Sequence, residues 1–451
     1  MSPQPSHVVA IIGGATAGAE VARRLAERNA EVVVFDMNPR PYGKIEDGLP
    51  RWHKALRAKE YASIGERLAH PSVHFVPRTK IGRDVGFAEL VRDWGFSSVV
   101  LACGAWRDRP LPVEGADAYA GKGLIYQNPF IIAFNHAREP DFAGQRFPIE
   151  DGALVVGGGL ASIDVAKLLM LENVRKRLEV RGIHADVEEM EKKGIPATLA
   201  EHGTSIADLG LQGCTLFYRR RAEDMPLMEM PADATPERAA KVEQSRKHIL
   251  NKAKEKFGFA FEPLSIPERL IVEDGKLVGL VLRRARVEGK KLIPTDETFE
   301  RRGSAVISSI GSIPEPMPGV SMNGELFPFT DLTLGRMSDF PSVFSAGNVV
   351  TGKGNIIASR KHASLVADDM VEKFLGLDPA GHDGEEKLIE RAMAPVAEQA
   401  EAIAAKIDQL PRIPAHMLAE VRARVRARQA QVGYPGDFAA WIKQVTPDGF
   451  E

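Results

Sequence analysis

The stretch Ile11-Ile12-Gly13-Gly14-Ala15-Thr16-Ala17-Gly18 decides how this chain is read. A compact apolar run over 7–12 ends in glycines. A helical pattern follows over 19–28, with Val21, Ala22 and Leu25 on one side. Read as G-x-G-x-x-G, the motif carries Ala15 in its second glycine place. Gly13 permits the tight strand-to-helix turn, a small residue at 15 lets the backbone approach a pyrophosphate, and Gly18 lets the helix pack closely on the strand. The helix N-terminus then offers free N–H groups and a positive dipole end to phosphates. A β-branched run over 31–36 ends in Asp36, about 20 residues on, where a carboxylate can accept hydrogen bonds from both adenosine ribose hydroxyls. Alone the glycines could mark only a tight structural turn; with strand, helix and acid in place they predict a dinucleotide site.

Outward from this motif the alternation continues. Segments 72–76 and 98–103 read as strands and 87–94 as a short helix, so a parallel sheet with crossover helices is expected. The pattern then restarts. A strand over 153–156 leads into Gly157-Gly158-Gly159-Leu160-Ala161-Ser162 and a helix over 162–171. The strand at 214–218 ends not in an acid but in Tyr218-Arg219-Arg220-Arg221. Planar guanidinium forks there suit the 2′-phosphate of NADP, whereas an acid would favour NAD. The other reading is a solvated basic turn. Segment 174–213 is charged and mostly helical and reads as an insertion; 277–286 and 305–310 read as further strands. The glycine motifs at Gly13 and Gly157 suggest two copies of one nucleotide-binding unit.

Several longer signatures make the chain resemble a family. Gly82-Arg83-Asp84-Val85 precedes Val99-Val100-Leu101-Ala102-Cys103-Gly104-Ala105, and Tyr218-Arg219-Arg220 runs on to Glu223-Asp224-Met225-Pro226. Ile307-Ser308-Ser309-Ile310-Gly311 and Phe344-Ser345-Ala346-Gly347-Asn348-Val349 complete the set. With these, residues 7–374 resemble adrenodoxin reductase-type ferredoxin–NADP reductases and the related glutamate synthase small subunit.

The resemblance implies an α/β chain of two Rossmann-like dinucleotide-binding domains. An FAD domain (1–108 and 315–380) would be interrupted by an NADPH domain (109–314, with the insertion at 174–213), and a helical extension (381–451) would follow. It implies that Gly13, Ala15, Thr16, Ala17, Gly18 and Asp36 hold the ADP half of FAD. Gly43, Lys44 and Ile45 would run beside the isoalloxazine, with Gly104 in the strand-and-turn motif. Gly347 and Asn348 would form the ribityl-side turn, and Asn355, Ile356 and Ile357 would lie near the flavin ring. Gly157, Gly159, Leu160, Ala161, Arg219 and Arg220 would hold NADPH.

The implied reaction is hydride transfer from NADPH to flavin and passage of electrons to a ferredoxin-like carrier. Lys44, His53 and Asn355 are the candidate catalytic residues: Lys44 as a cation for a flavin anion, His53 as a residue near the flavin loop that could equally be a surface or capping histidine, and Asn355 at the flavin–nicotinamide junction. Asn348 and Asn355 stand where relatives often carry Asp and Gly. Basic residues of the NADPH domain (Arg238, Lys241, Arg246, Lys247, Lys252, Lys254 and Lys256) would dock an acidic carrier, or form an ordinary charged helix face. Two alternatives remain: an electron-input subunit of a larger redox complex, and a non-enzymatic nucleotide-binding scaffold.

Composition narrows the field. The chain has 451 residues, formal net charge −2 and 44% apolar residues. That gives no global case for a nucleic-acid or membrane partner. Its two cysteines, Cys103 and Cys214, exclude a disulfide scaffold, a four-cysteine metal site and a Cys-x-x-Cys redox pair. No metal site is expected. Residues 1–7 lack a basic segment and a long apolar core, and no run approaches the ~18 apolar residues of a membrane span, so a cytoplasmic location is expected. The last ~70 residues, helical over 385–409 and 415–431 and broken at Pro411 and Pro414, read as a solvated appendage or else a partner-binding arm. Arg422, Arg424, Arg426 and Arg428 alternate, so they splay around that helix.

Overall fold

The computed structural model describes residues 4–228, 230–231, 233–351, 368–378, 382 and 386–447. The chain begins β1 (Val8–Ile12), α1 (Thr16–Ala26), β2 (Glu31–Phe35), α2 (Lys44–Asp47), α3 (Lys54–Leu68), β3 (Val73–Val76), α4 (Phe87–Arg92), β4 (Ser98–Leu101). Every residue of β1, β2 and β4 is buried. That is why these strands read as continuous apolar runs: helices cover both faces of a parallel sheet. β5 (Arg107–Asp108) leads out of this unit to β6 (Leu124–Tyr126), α5 (Gln127–Asn135), β7 (Leu154–Gly157) and α6 (Leu160–Val180). Helices α7 (Val187–Lys193) and α8 (Ile195–Glu201) follow, then β8 (Thr215–Phe217), α9 (Pro236–Phe257) and β9 (Ala260–Glu262).

A three-stranded antiparallel meander comes next: β10 (Ser265–Glu273), β11 (Lys276–Glu288) and β12 (Lys291–Arg302). The chain closes the second unit with β13 (Val306–Ser309) and returns through β14 (Ser312–Ile313), β15 (Phe329–Asp331), β16 (Arg336–Met337) and β17 (Val343–Ser345). Helices α10 (Asn348–Thr351), α11 (Asp368–Phe374), α12 (Glu386–Ile407), α13 (Ala415–Gln431) and α14 (Phe438–Val445) end it.

Two five-stranded parallel sheets result. One has the order β17-β4-β1-β2-β3 and the other β6-β13-β7-β8-β9. The orders superpose position by position, with the glycine-motif strands β1 and β7 central in each. This is the internal repeat, expressed as topology. The two chain crossings between the units pair with each other: β5 and β14 are antiparallel, with Ser312 opposite Asp108 and Ile313 opposite Arg107.

The structure differs from expectation in three places. Helix α6 runs on to Val180, with Val174 and Leu178 fully buried, so the inserted helices begin later than 174. The meander strands beside β11 escape a pattern reading because β12 is largely exposed and dense in charge. The third difference is the tail, which is no solvated appendage. Ala400, Ile403, Ala404 and Ile407 of α12 are buried in one cluster with Val21, Ala22 and Leu25 of α1. Leu418, Val421 and Val425 of α13 join the core on the other face of the first sheet. Trp441 of α14 is fully buried and donates its indole N–H to Pro39 O at 2.8 Å. Each such large side chain contributes roughly 1.5–3 kcal/mol by leaving water. Arg422 binds Glu31 in the sheet, and Arg428 reaches Thr79 Oγ1 at 2.9 Å. Burial raises the Glu31 carboxyl, but hydrogen bonds from His74 and Arg422 outweigh it and hold it down at about 2.

Candidate functional site

The first glycine turn is built by contacts only glycine allows. Gly13 has φ +102°, and a Cβ there would lie 2.6 Å from Ala102 O. A Cβ on Gly18 would lie 1.9 Å from Gly13 O, so the first turn of α1 sits directly on the loop. Ala15 is the N-cap of α1 and supplies no side-chain cap, and the first turn of the helix has no acid. The leading N–H groups are therefore open to an anion.

Asp36 sits at the end of β2, buried, and accepts from Gly14 N–H at 2.8 Å and Asn38 N–H at 2.9 Å. Burial pushes its carboxyl up to about 6 against those two bonds. Each carboxylate oxygen keeps acceptor capacity for a ribose hydroxyl. A cavity of about 350 Å³ opens here, walled by Gly13, Ala15, Asp36, Gly43, Gly104 and Trp106 among others.

The flanking turns converge on the same place. Gly43 has φ +51°, and a Cβ there would lie 2.8 Å from Ala15 Cβ. Gly347 has φ +77°, and its Cβ would lie 2.9 Å from Ala17 Cβ. Thus Gly13, Ala15, Ala17, Gly18, Asp36, Gly43, Gly104 and Gly347 are gathered around one cradle, with Thr16 opening α1 and Asn348 opening α10. Asn355, Ile356 and Ile357 lie outside the described residues. Ile45 packs its side chain into the core beside Trp52 and Leu49, leaving only its backbone for a ligand.

Lys44 is half-buried at the junction of the units. Its Nζ is 3.0 Å from Ser312 Oγ on β14 and 3.3 Å from Asn128 Oδ1 on α5, and 5.4 Å from the Trp106 ring centre. Burial pushes its amine down to about 8, opposed by the nearby Asp108. Asp108 is itself pushed up to about 6 by burial. Lys44 reaches the crossing strand β14 through Ser312 and the second unit through Asn128. His53 is not on the surface: it is fully buried at the start of α3, stacked on Phe374 at 4.8 Å and edge-on to His382 at 4.6 Å.

The second turn repeats the design. A Cβ on Gly157 would lie 2.6 Å from Ser309 O, and the Tyr218 ring lies on Gly158 so closely that a Cβ there would meet it at 2.1 Å. Gly159 is the N-cap of α6, again without a side-chain cap or acid in the first turn. Leu160 is buried in the core and Ala161 is half-buried. Of the arginines ending β8, Arg221 pairs with Asp224 at 2.9 Å, and Arg220 lies 3.6 Å from Asp224 and donates to Lys290 O. Arg219 is exposed and has no hydrogen bond or ion pair among the described residues.

Two further findings bear on chemistry. Burial pushes both thiols up to about 12, and both cysteines are free, so neither is a thiolate nucleophile near neutral pH. The basic face of α9 is smaller than its sequence suggested. Arg246 turns inward to Met228 O at 2.9 Å, Lys252 pairs with Glu372, and Lys256 bonds Lys192 O at 2.7 Å. Lys241 and Lys247 remain exposed. Reading the sequence missed Trp106, a single aromatic with no periodic partner, and the buried Lys167, which binds Glu191 at 2.7 Å beneath Trp52.

Residues 7–203 match the profile of the family described as pyridine nucleotide-disulphide oxidoreductase. Cindoxin reductase of Citrobacter braakii is 29% identical over 319 residues, covering 65% of this chain and 64% of that one. NADPH-Fe(3+) oxidoreductase subunit beta of Geobacter sulfurreducens is 28% identical, covering 42% of this chain and 28% of that one. The chain thus spans less than two thirds of these two relatives' lengths. The glutamate synthase [NADPH] small chain of Escherichia coli is 22% identical over 82% of this chain and 69% of its own. Among solved structures, Mycobacterium tuberculosis FprA in complex with NADPH matches with a TM-score of 0.59 at 19% identity, over 94% of this chain and 99% of that one. That likeness establishes the shared fold.

Proposed function

We propose, from the match of residues 7–203 to the pyridine nucleotide-disulphide oxidoreductase profile, that the chain is an NADPH-dependent flavoprotein oxidoreductase passing electrons to a ferredoxin-like carrier. The observation that carries this reading is the doubled unit. Two sheets of one strand order each present a glycine turn and an uncapped helix, the first answered by Asp36 and the second by Arg219. The first suits FAD, with Asp36 toward the adenosine ribose and the α1 N–H groups toward the pyrophosphate. The second suits NADPH, with Arg219 toward the 2′-phosphate. The chemistry supplied by the bound pair is hydride transfer to the flavin followed by electron release. The chain's own residues bind, orient and exclude water; Lys44, Asn128 and Ser312 tie the two units together beside the cavity. A disulfide acceptor within the chain is disfavoured because both thiols are free and strongly protonated.

For the acceptor, Lys241 and Lys247 on α9 and the neighbouring Arg238 are the docking residues we propose, in a cytoplasmic setting. No helix among the described residues is long and apolar enough to cross a membrane. Relatives named as a subunit beta and a small chain favour a second reading, an electron-input subunit of a larger complex. Two measurements test these readings. Reconstitution with FAD should give a flavin spectrum, and its absence would overturn the function. Reversing charge at Lys241 and Lys247 should weaken and flatten the salt dependence of carrier reduction; no change would remove this docking face.

A further inference from the structure

We propose that Gln399, in the C-terminal helix α12, is a positioning residue of the flavin site. This rests on the FAD reading above and adds to it a part of the chain outside both sheets. Gln399 Oε1 accepts the Gly347 N–H at 3.1 Å, and its amide donates to Thr333 O at 3.2 Å. Both ends of one half-buried side chain are thus committed, one to the turn that enters α10 and one to the loop before β16. Gly347 is the left-handed residue whose missing Cβ leaves it pressed on Ala17, in the first turn of α1. The glycine loop on one side and Gln399 on the other therefore fix where the Gly347–Asn348 turn stands.

Gln399 is delivered there by its helix. Ala400 and Ile403 are buried with residues of α1, and Glu401 and Asp408 pair with Arg28, Glu401 also with Arg24 at 3.3 Å. The helix that opens the phosphate cradle thus carries on its back the helix that sets the opposite turn. A positive-φ turn with its N–H unpaired has several ways to relax; an acceptor of fixed position selects one. Gln399 selects the arrangement that leaves Asn348 beside the cradle, so the flavin meets a turn already in place and does not have to order it on binding.

The test is an equilibrium FAD titration of the full-length apoprotein, followed by flavin fluorescence and by free FAD after ultrafiltration. Gln399→Met keeps the side-chain length and removes both bonds; Gln399→Ala is a second variant should the first fold poorly. Either should raise the FAD dissociation constant by about five- to tenfold, the scale of one or two lost hydrogen bonds. Glu401→Gln weakens the attachment of α12 to α1 but leaves Gln399, and should stay within about twofold of wild type. An unchanged constant in the Gln399 variants overturns the inference. So does an equal loss in Glu401→Gln, which would mean general support by the tail. If the unaltered protein binds no FAD, the functional reading falls first and this one with it; if it binds FAD and only the Gln399 effect is missing, the reading stands.

Discussion

The carboxylate of Asp36 accepts the N–H of Gly14 at 2.8 Å, so the acid that ends β2 holds the turn that ends β1. The ligand's adenosine end is thereby prepared by a bond internal to the protein, and its strength depends on ionisation of a buried acid.

The first prediction concerns that acid. Burial raises the Asp36 carboxyl to about 6, above the ordinary aspartate value of about 3.9. Between those values the folded chain binds more protons than the unfolded one. The Asp36 contribution to stability therefore falls as pH rises from about 4 to 6. In urea unfolding of the apoprotein, Asp36→Asn should remove that slope from the wild-type-minus-variant difference. FAD should bind the variant about tenfold more weakly at neutral pH.

Arg219 and Arg220 should separate. Arg220 is held by Asp224 and Lys290 O, whereas Arg219 is exposed. Arg219→Ala should lower kcat/KM for NADPH about tenfold, consistent with one lost charge-assisted contact of roughly 1.5–3 kcal/mol, and leave NADH nearly untouched. Arg220→Ala should do less. Equal, small effects from both would return the cluster to a solvated turn.

Lys44 titrates in the opposite sense. Its folded value of about 8 lies below the free lysine value of 10.5, so the folded chain holds fewer protons in that window. The Lys44 contribution to stability rises as pH climbs from about 8 to 10.5. Lys44→Met should abolish that rise. At neutral pH it leaves Asn128 Oδ1 without its donor, a cost of about 1–3 kcal/mol that relief of the desolvated charge partly offsets. Unchanged pH dependence would mean the amine is solvated.

Trp106 reports occupancy. Its indole lies 3.7 Å from a Cβ position on Gly104 and 3.9 Å from one on Gly43, on the cavity wall. FAD should quench tryptophan emission, and Trp106→Phe should remove the largest share of that quenching. Trp94 and Trp441, packed in the core on Phe35 and Tyr434, should contribute less.

Much of this was legible because β1, α1 and β2 state one message at every level: apolar runs, small residues at the turn, an acid at the strand end. The second unit reads the same way from Gly157 to Tyr218. The tail did not, for a physical reason. In α13 the buried Leu418, Val421 and Val425 occupy one stripe among many arginines, and the sequence alone does not show that Arg422 has a buried partner in Glu31. Arg246 misled similarly, since a guanidinium that caps Met228 O looks, in sequence, like any other basic helix residue. Gln399, Lys44 and Trp106 act through residues distant in the chain, and no local pattern announces such pairs.

The most direct test of the central claim is anaerobic mixing of the FAD-reconstituted protein with NADPH and, separately, NADH, following the flavin absorbance. The account predicts a flavin band that bleaches at least tenfold faster with NADPH. A protein that retains no flavin, or a flavin that NADH bleaches as fast as NADPH, would contradict it.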